Sequence, residues 1–378
     1  MMGDVPDAML QPETPDATRQ AAPPPPLTRR VLTQTIALVV TALALAGVAA
    51  LPTGYVVRMP GPTFDTLGGE GTPVIEVTGA ETFPSRGQLR LTTVSALGNR
   101  DSRVPVVRLV RAWLDPAEGV YPVEAIFPAG TTTEESAQQG QVEMVTSQES
   151  ATVAALRALG RDVAETLTAV GTDPALGAHG LVEPGDVLLA LDGTPLDSFE
   201  RLSELLDAVE PGTAVTLRVD RAGTPTDLEI VTSAGPADLP GAEDRAYLGV
   251  TVDRSFETDP VVTMHIDDVG GPSAGTMFAL GIMDLLTPED ETGGEVVAGT
   301  GTMSIDGTVG PIGGITYKMR GALDDGARWF LAPASNCAEA RGHVPSGLRV
   351  VSVATLDEAY DAVVAIGAGR GGTLPTCS

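Results

Sequence analysis

Gly270-Gly271-Pro272-Ser273-Ala274-Gly275 leads into an apolar run, and Gly313-Gly314-Ile315-Thr316-Tyr317-Lys318 follows it, the lysine 45 residues after the serine. Met277, Phe278, Leu280, Ile282 and Leu285 recur at helical spacing, so a helix over residues 274–286 is expected with Ser273 at its entry. A serine there stands beside unpaired backbone N–H groups and the positive end of the helix dipole. That suits an oxyanion, although an ordinary N-cap is the plainer reading. Lys318 is the sole lysine among 23 basic residues. Arginine stays protonated in proteins whereas a buried lysine can lose its proton, so position 318 reads as a base; a solvated surface lysine is the alternative.

At 378 residues the chain has room for two or three domains of roughly 150 residues each. A hydrophobic content of 43% supplies ample core, built from aliphatic residues because only 4% are aromatic. The net charge of -27 and the lack of any Lys/Arg cluster exclude nucleic acid as a partner. Three histidines and two cysteines show no metal-ligand spacing, so no metal or other cofactor is expected. Cys337 and Cys377 are either one disulfide, if the folded part lies outside the cytoplasm, or two free thiols.

Residues 1–30 form a polar, proline-rich tail. Arg29-Arg30 then precede 21 uncharged residues, 31–51, long enough to cross a bilayer core of about 30 Å. The arginines put the N-terminus in the cytoplasm and the bulk of the chain outside, with a single-pass anchor in the cell membrane; a cleaved signal peptide is the competing reading. Residues 52–160 are mixed α/β, with strands at 74–77 and 88–94, a helix at 104–114, a polar helical stretch from Thr133, and another helix at 150–159. Residues 161–235 read as a small β-rich module with Ser198 capping a helix whose buried face is Phe199, Leu202, Leu205, Leu206 and Val209. An acidic, Pro/Gly-rich connector spans 235–244, strands follow at 247–252, 261–266 and 347–353, and Thr355 with Glu358 caps a last helix. His265 with Asp267-Asp268 suggests a Ser-His-Asp triad only weakly, since a strand histidine is usually packed or hydrogen-bonded.

Gly180 to Gly193 resembles the "GL-x-x-GD-V-L-x-x-DG" hallmark of bacterial protease PDZ domains, which implies a groove where a peptide adds a strand to a sheet edge. The two opening stretches resemble the proteolytic domain of the Lon family, with Gly-Pro-Ser-Ala-Gly around the nucleophile and Pro-Ile-Gly-Gly-x-x-x-Lys around its base, and residues 298–312 follow the segment linking them. The implied fold is an α/β (α+β) Lon-type proteolytic domain at 236–378, with a PDZ domain and an N-terminal transmembrane helix, as in the membrane-bound, PDZ-containing Lon-like proteases of bacteria. The resemblance makes Ser273 the nucleophile and Lys318 the base, with Thr300 supporting them and Gly271, Pro272 and Ser273 as the oxyanion region. Two positions where many Lon proteins carry an acid hold Gly270 and Thr302 here. A Gly-x-x-x-x-Gly-Lys-[Ser/Thr] loop is absent, so ATP is not an expected partner. Expected partners are peptide or protein substrates, exported or membrane-bound; ring-shaped homo-oligomers follow from the resemblance alone. The reading from another class is a non-catalytic PDZ scaffold with a degenerate Lon-like fold.

Overall fold

The computed structural model describes residues 28–68, 73–127, 130, 132–235, 244–266 and 269–377. The polar tail, most of the acidic connector, and Asp267 and Asp268 lie outside the described residues. The described chain forms two compact units, one of residues up to 53 with 105–107, the other of the remainder.

The first unit is dominated by the helix Arg29–Ala49, two residues short of the expected segment at its C-terminal end, with no buried residue. Just beyond it, Pro52 bridges Pro105 and the Leu51 carbonyl accepts the Val106 N–H at 3.1 Å. This helix is long and apolar enough to cross a membrane.

In the second unit, a six-stranded sheet runs in the order Arg349–Val353, Trp329–Pro333, Val296–Gly299, Gln88–Leu97, Tyr55–Asp65, Gly119–Pro122. Its first four strands are mutually parallel and the last two pairings antiparallel. The strands alternate as period-2 patterning demands. Val297, Leu331 and Val351 join a core with the helices Gly275–Leu286, Thr133–Ala158 and Leu356–Gly367. Their neighbours Ala298, Phe330 and Val350 join a separate core with Ile315 and Met319 of the helix Ile315–Asp324. The Cys337–Cys377 disulfide is formed and fixes the C-terminal tail beside the strand Arg349–Val353, where the Val350 carbonyl accepts the Cys377 N–H.

A second, antiparallel sheet has the order Val250–Glu257, Ala164–Thr172, Val187–Leu191, Ala214–Arg221, Thr224–Val231, with the short Thr194–Pro195 beside Val187–Leu191. The helix Phe199–Asp207 packs on it through Leu202, and Ser198 accepts the Arg201 N–H as the expected cap. Phe199 is exposed rather than buried, lying under the Arg254 guanidinium.

The two sheets cut across the sequence boundaries at 160 and 235. Strands from 55–122 complete the sheet that carries Val296–Gly299, while Val250–Glu257 is an edge of the second sheet. Likewise the polar stretch from Thr133 and the helix at 150–159 are one 26-residue helix, Thr133–Ala158, opened by a capping box between Thr132 and Glu135. Helix Val106–Leu114 buries Leu109 and Ala112 and leaves Val107, Val110 and Trp113 exposed, so the apolar periodicity there marks two faces.

On the nucleophile-bearing side, Asp284 of helix Gly275–Leu286 is buried beside Glu291, and neither Asp284 oxygen has a hydrogen-bond donor among the described residues. Glu291 Oε1 accepts from Thr287 Oγ1 and Tyr360 OH, both at 2.7 Å.

Candidate active site

Strand Val296–Gly299 ends between the two core layers, and the next residue, Thr300, is fully buried. Ser273 precedes helix Gly275–Leu286, and Lys318 lies in the first turns of helix Ile315–Asp324, which starts after Gly314 at φ 73°. That left-handed conformation is one glycine adopts without strain. The three side chains meet: Lys318 Nζ lies 2.7 Å from Ser273 Oγ and 2.9 Å from Thr300 Oγ1, and Thr300 Oγ1 donates to the Ser273 carbonyl at 2.9 Å. Gly301 N–H donates to the same carbonyl.

Lys318 is 3% exposed, and burial pulls its amine down from the usual 10.5 to about 7. Among the described residues no carboxylate holds it charged, and desolvation favours the neutral amine. On the same helix Ile315 and Met319 are buried and Leu323 is partly buried. A cleft of about 490 Å³ opens onto Ser273 and Lys318, walled by Pro62, Phe64, Thr93, Val94, Val269 and Gly313.

Of the three residues expected to form an oxyanion region, Pro272 has no N–H and Gly271 donates its own to Gly140 O at 2.8 Å. Ser273 N–H is the donor that remains, since no described backbone carbonyl accepts it. His265 sits elsewhere in the hydrogen-bond network: its Nε2 lies 3.0 Å from Glu76 Oε2.

Helix Thr133–Ala158 supplies site residues that sequence reasoning missed. Gly140 holds the Gly271 amide, and Ser147 Oγ donates to Pro272 O at 2.9 Å, so two adjacent residues of the serine loop are fixed by one helix. This explains Gly270 where many Lon proteins carry an acid. A Cβ on it would lie 3.3 Å from the Gly140 carbonyl carbon, tighter than side chains ordinarily pack. A small residue every seventh position was the available signal. At Gly275 a Cβ would lie 2.8 Å from Met303 Cβ and 2.9 Å from Ser147 Oγ. Gly275→Ala is therefore expected to cost about 1–3 kcal/mol through overpacking and to displace Ser273. Thermal unfolding and turnover measured together should both fall; an unchanged melting temperature contradicts the packing.

A second concavity, of about 300 Å³, lies between helix Phe199–Asp207 and strand Val250–Glu257 and is lined by Leu202, Leu206, Leu248, Val250 and Val252. Among the described residues strand Val250–Glu257 pairs with Ala164–Thr172 along one edge only. Arg245 closes one end, with Nε 2.7 Å from Asp207 Oδ1.

Comparison with known proteins matches residues 250–366 to the Lon protease (S16) C-terminal proteolytic domain. Lon protease 2 of Bacillus subtilis is 34% identical over 98 residues, covering 25% of this chain and 17% of that protein. Lon protease of Phenylobacterium zucineum is 32% identical over 142 residues, 36% of this chain and 17% of its own length. The periplasmic pH-dependent serine endoprotease DegQ of Escherichia coli is 32% identical over 119 residues, 30% of this chain and 25% of that one. The chain thus spans a quarter or less of the length of these relatives. Among solved structures, the PDZ domain of an SdrC-like protein from Listeria monocytogenes is 14% identical with a TM-score of 0.21, over 23% of this chain and 85% of that one. The segment similar to the Lon proteolytic domain, residues 250–366, contains Ser273, Thr300 and Lys318 together.

Proposed function

We propose that this chain is an ATP-independent, membrane-anchored serine endopeptidase using a Ser273–Lys318 dyad, with the PDZ-like module recruiting or gating peptide substrates. The observation that carries it is the buried Lys318 amine 2.7 Å from Ser273 Oγ, its pKa lowered by burial. A serine hydroxyl attacks a peptide carbonyl once a neighbouring base takes its proton, and an amine does so only when neutral.

In the neutral state one Nζ–H remains on Thr300 Oγ1, which is itself oriented by donating to the Ser273 carbonyl; the lone pair is left facing the serine hydroxyl. Attack forms the Oγ–C bond as the proton passes to Nζ. The Ser273 amide and the positive end of helix Gly275–Leu286 favour the oxyanion. Collapse breaks the C–N bond, with the leaving amine taking the proton from Nζ. Water then enters and bonds to the acyl carbon as its proton passes to Lys318 Nζ; collapse breaks the Oγ–C bond, Oγ takes the proton back from Nζ, and the acid is released. The groove beside strand Val250–Glu257 offers an open sheet edge and apolar walls to an extended peptide, which supports the PDZ assignment. Helix Arg29–Ala49 supports an anchor with the catalytic part outside the cytoplasm, where exported or membrane proteins would be the substrates.

Labelling with a fluorophosphonate probe tests this directly. The full chain is expected to label at Ser273 and to cleave an unfolded polypeptide, and Ser273→Ala is expected to lose both while keeping its melting temperature. Absence of labelling and cleavage in a folded chain returns the molecule to the scaffold reading.

A further inference from the structure

Asn336 is a buried amide, 6% exposed, at the end of the short turn Ala334–Asn336 that follows strand Trp329–Pro333. Its side chain spans both backbone groups of one distant residue. Asn336 Oδ1 accepts the Ile312 N–H at 2.9 Å, and Asn336 Nδ2 donates to Ile312 O at 2.9 Å. Nδ2 also donates to Glu339 Oε2 at 3.3 Å, so the oxygen and both amide hydrogens have partners and the orientation of the amide is fixed. Ile312 sits between the short strand Val309–Gly310 and the helix that carries Lys318. Pro311 has no N–H to offer, and Gly313 and Gly314 have no side chain to anchor them. Among the described residues, the hydrogen bonds to the backbone of residues 311–313 are the two made by Asn336. A stretch of high intrinsic freedom, with Gly313 bordering the cleft, is therefore held at one point.

We propose that Asn336 is a positioning residue for peptide cleavage, holding Ile312 so that the following helix presents Lys318 to Ser273. The inference rests on reading Ser273 and Lys318 as a dyad. Asn336 is itself well fixed: Cys337, the next residue, is bonded to Cys377, and both cysteines pack in the core that takes Ile315 and Met319 of the lysine helix. The strand before Asn336 also seats Thr300, whose N–H donates to Leu331 O. One strand and its turn thus support two of the three side chains that meet at the site. Proton transfer needs a contact of about 2.6–3.2 Å, and the 2.7 Å between Lys318 Nζ and Ser273 Oγ leaves little room for displacement. Misplacing a reacting group by about 1 Å costs about 100-fold in rate.

Asn336→Asp keeps the shape and the acceptor for the Ile312 N–H but replaces the donor with a second acceptor facing Ile312 O. In the full chain it is expected to lower kcat on a short peptide about 10- to 100-fold, with KM changed by less than about threefold. Val350→Ala, in the same core but with no side-chain bond to the loop, is expected to lower the melting temperature and keep kcat within about twofold. A kcat in Asn336→Asp equal to that of the parent overturns the inference. So does a loss of kcat in Val350→Ala as large as in Asn336→Asp, which leaves Asn336 a role in stability alone. Hydrogen exchange in the unaltered chain decides the matter where Asn336→Asp does not fold. The Ile312 amide is expected to exchange at least ~100-fold more slowly than in an unfolded chain, although it lies outside helix and strand. Unprotected exchange there overturns the inference while leaving the dyad in place. A parent chain that neither labels at Ser273 with a fluorophosphonate nor cleaves overturns the dyad and this inference together.

Discussion

Lys318→Met is expected to lower kcat/KM by at least ~1000-fold, the scale at which loss of the base disables a serine nucleophile. The same substitution is expected to raise the melting temperature, because methionine fills similar space without a buried amine. The sign follows from the direction of the shift. The folded-state pKa lies below the ordinary 10.5, so the ammonium is a cost carried in full below about pH 7 and fading as pH rises towards 10.5. The stability gain in Lys318→Met is therefore largest at pH 6, on the order of 2 kcal/mol or more. Lys318→Arg should lose the same activity and move stability the other way, since a guanidinium cannot shed its charge when buried. In the unaltered protein kcat/KM should climb with pH around a midpoint of about 7 as the amine becomes neutral. Activity within tenfold of the parent in either variant would falsify the assignment of Lys318 as base.

Asp284→Asn is expected to flatten a pH dependence of stability that runs opposite to that of the lysine. Burial pushes the Asp284 carboxyl up from 3.8 to about 7, reinforced by the charges of Glu291 and Asp290. Arg86 faces this cluster but is engaged with Asp290, and Tyr360 and Thr287 donate to Glu291. A raised folded-state pKa means the native protein holds a proton that the unfolded chain has released. Its stabilising contribution is present in full below about 4 and is lost as pH rises through about 7. From pH 5 to 8 the loss is expected to be on the order of 1–3 kcal/mol. Asparagine keeps the shape and a donor towards Glu291 without an ionisable group. Denaturant unfolding across that range should show a shallower slope in Asp284→Asn; an unchanged slope would mean that the pair does not share a proton.

The serine and lysine loops were legible because their glycines, proline and single lysine are local signals with chemical meaning. Thr300 could be placed by its position in the linking segment, and the structure puts its hydroxyl against both partners. Gly140 and Ser147 were not legible. They support the serine loop through a backbone carbonyl and one hydroxyl from a helix face of small polar residues, which leaves no hydrophobic period to read. The sheet assignments were hidden for another reason. A strand's partner is a non-local choice, so nothing within 88–97 announces pairing with 296–299, and nothing within 247–252 announces that the strand from Val250 joins the β-rich module.

That same sheet sets the order of events during synthesis. Thr92 Oγ1 donates to Gly299 O across 207 residues, so the strand pair beside the catalytic serine closes only after the intervening module has been made. The module's own contacts are local by comparison, and local contacts form early. The half-emerged chain therefore carries the concavity beside helix Phe199–Asp207 before Lys318 has been made.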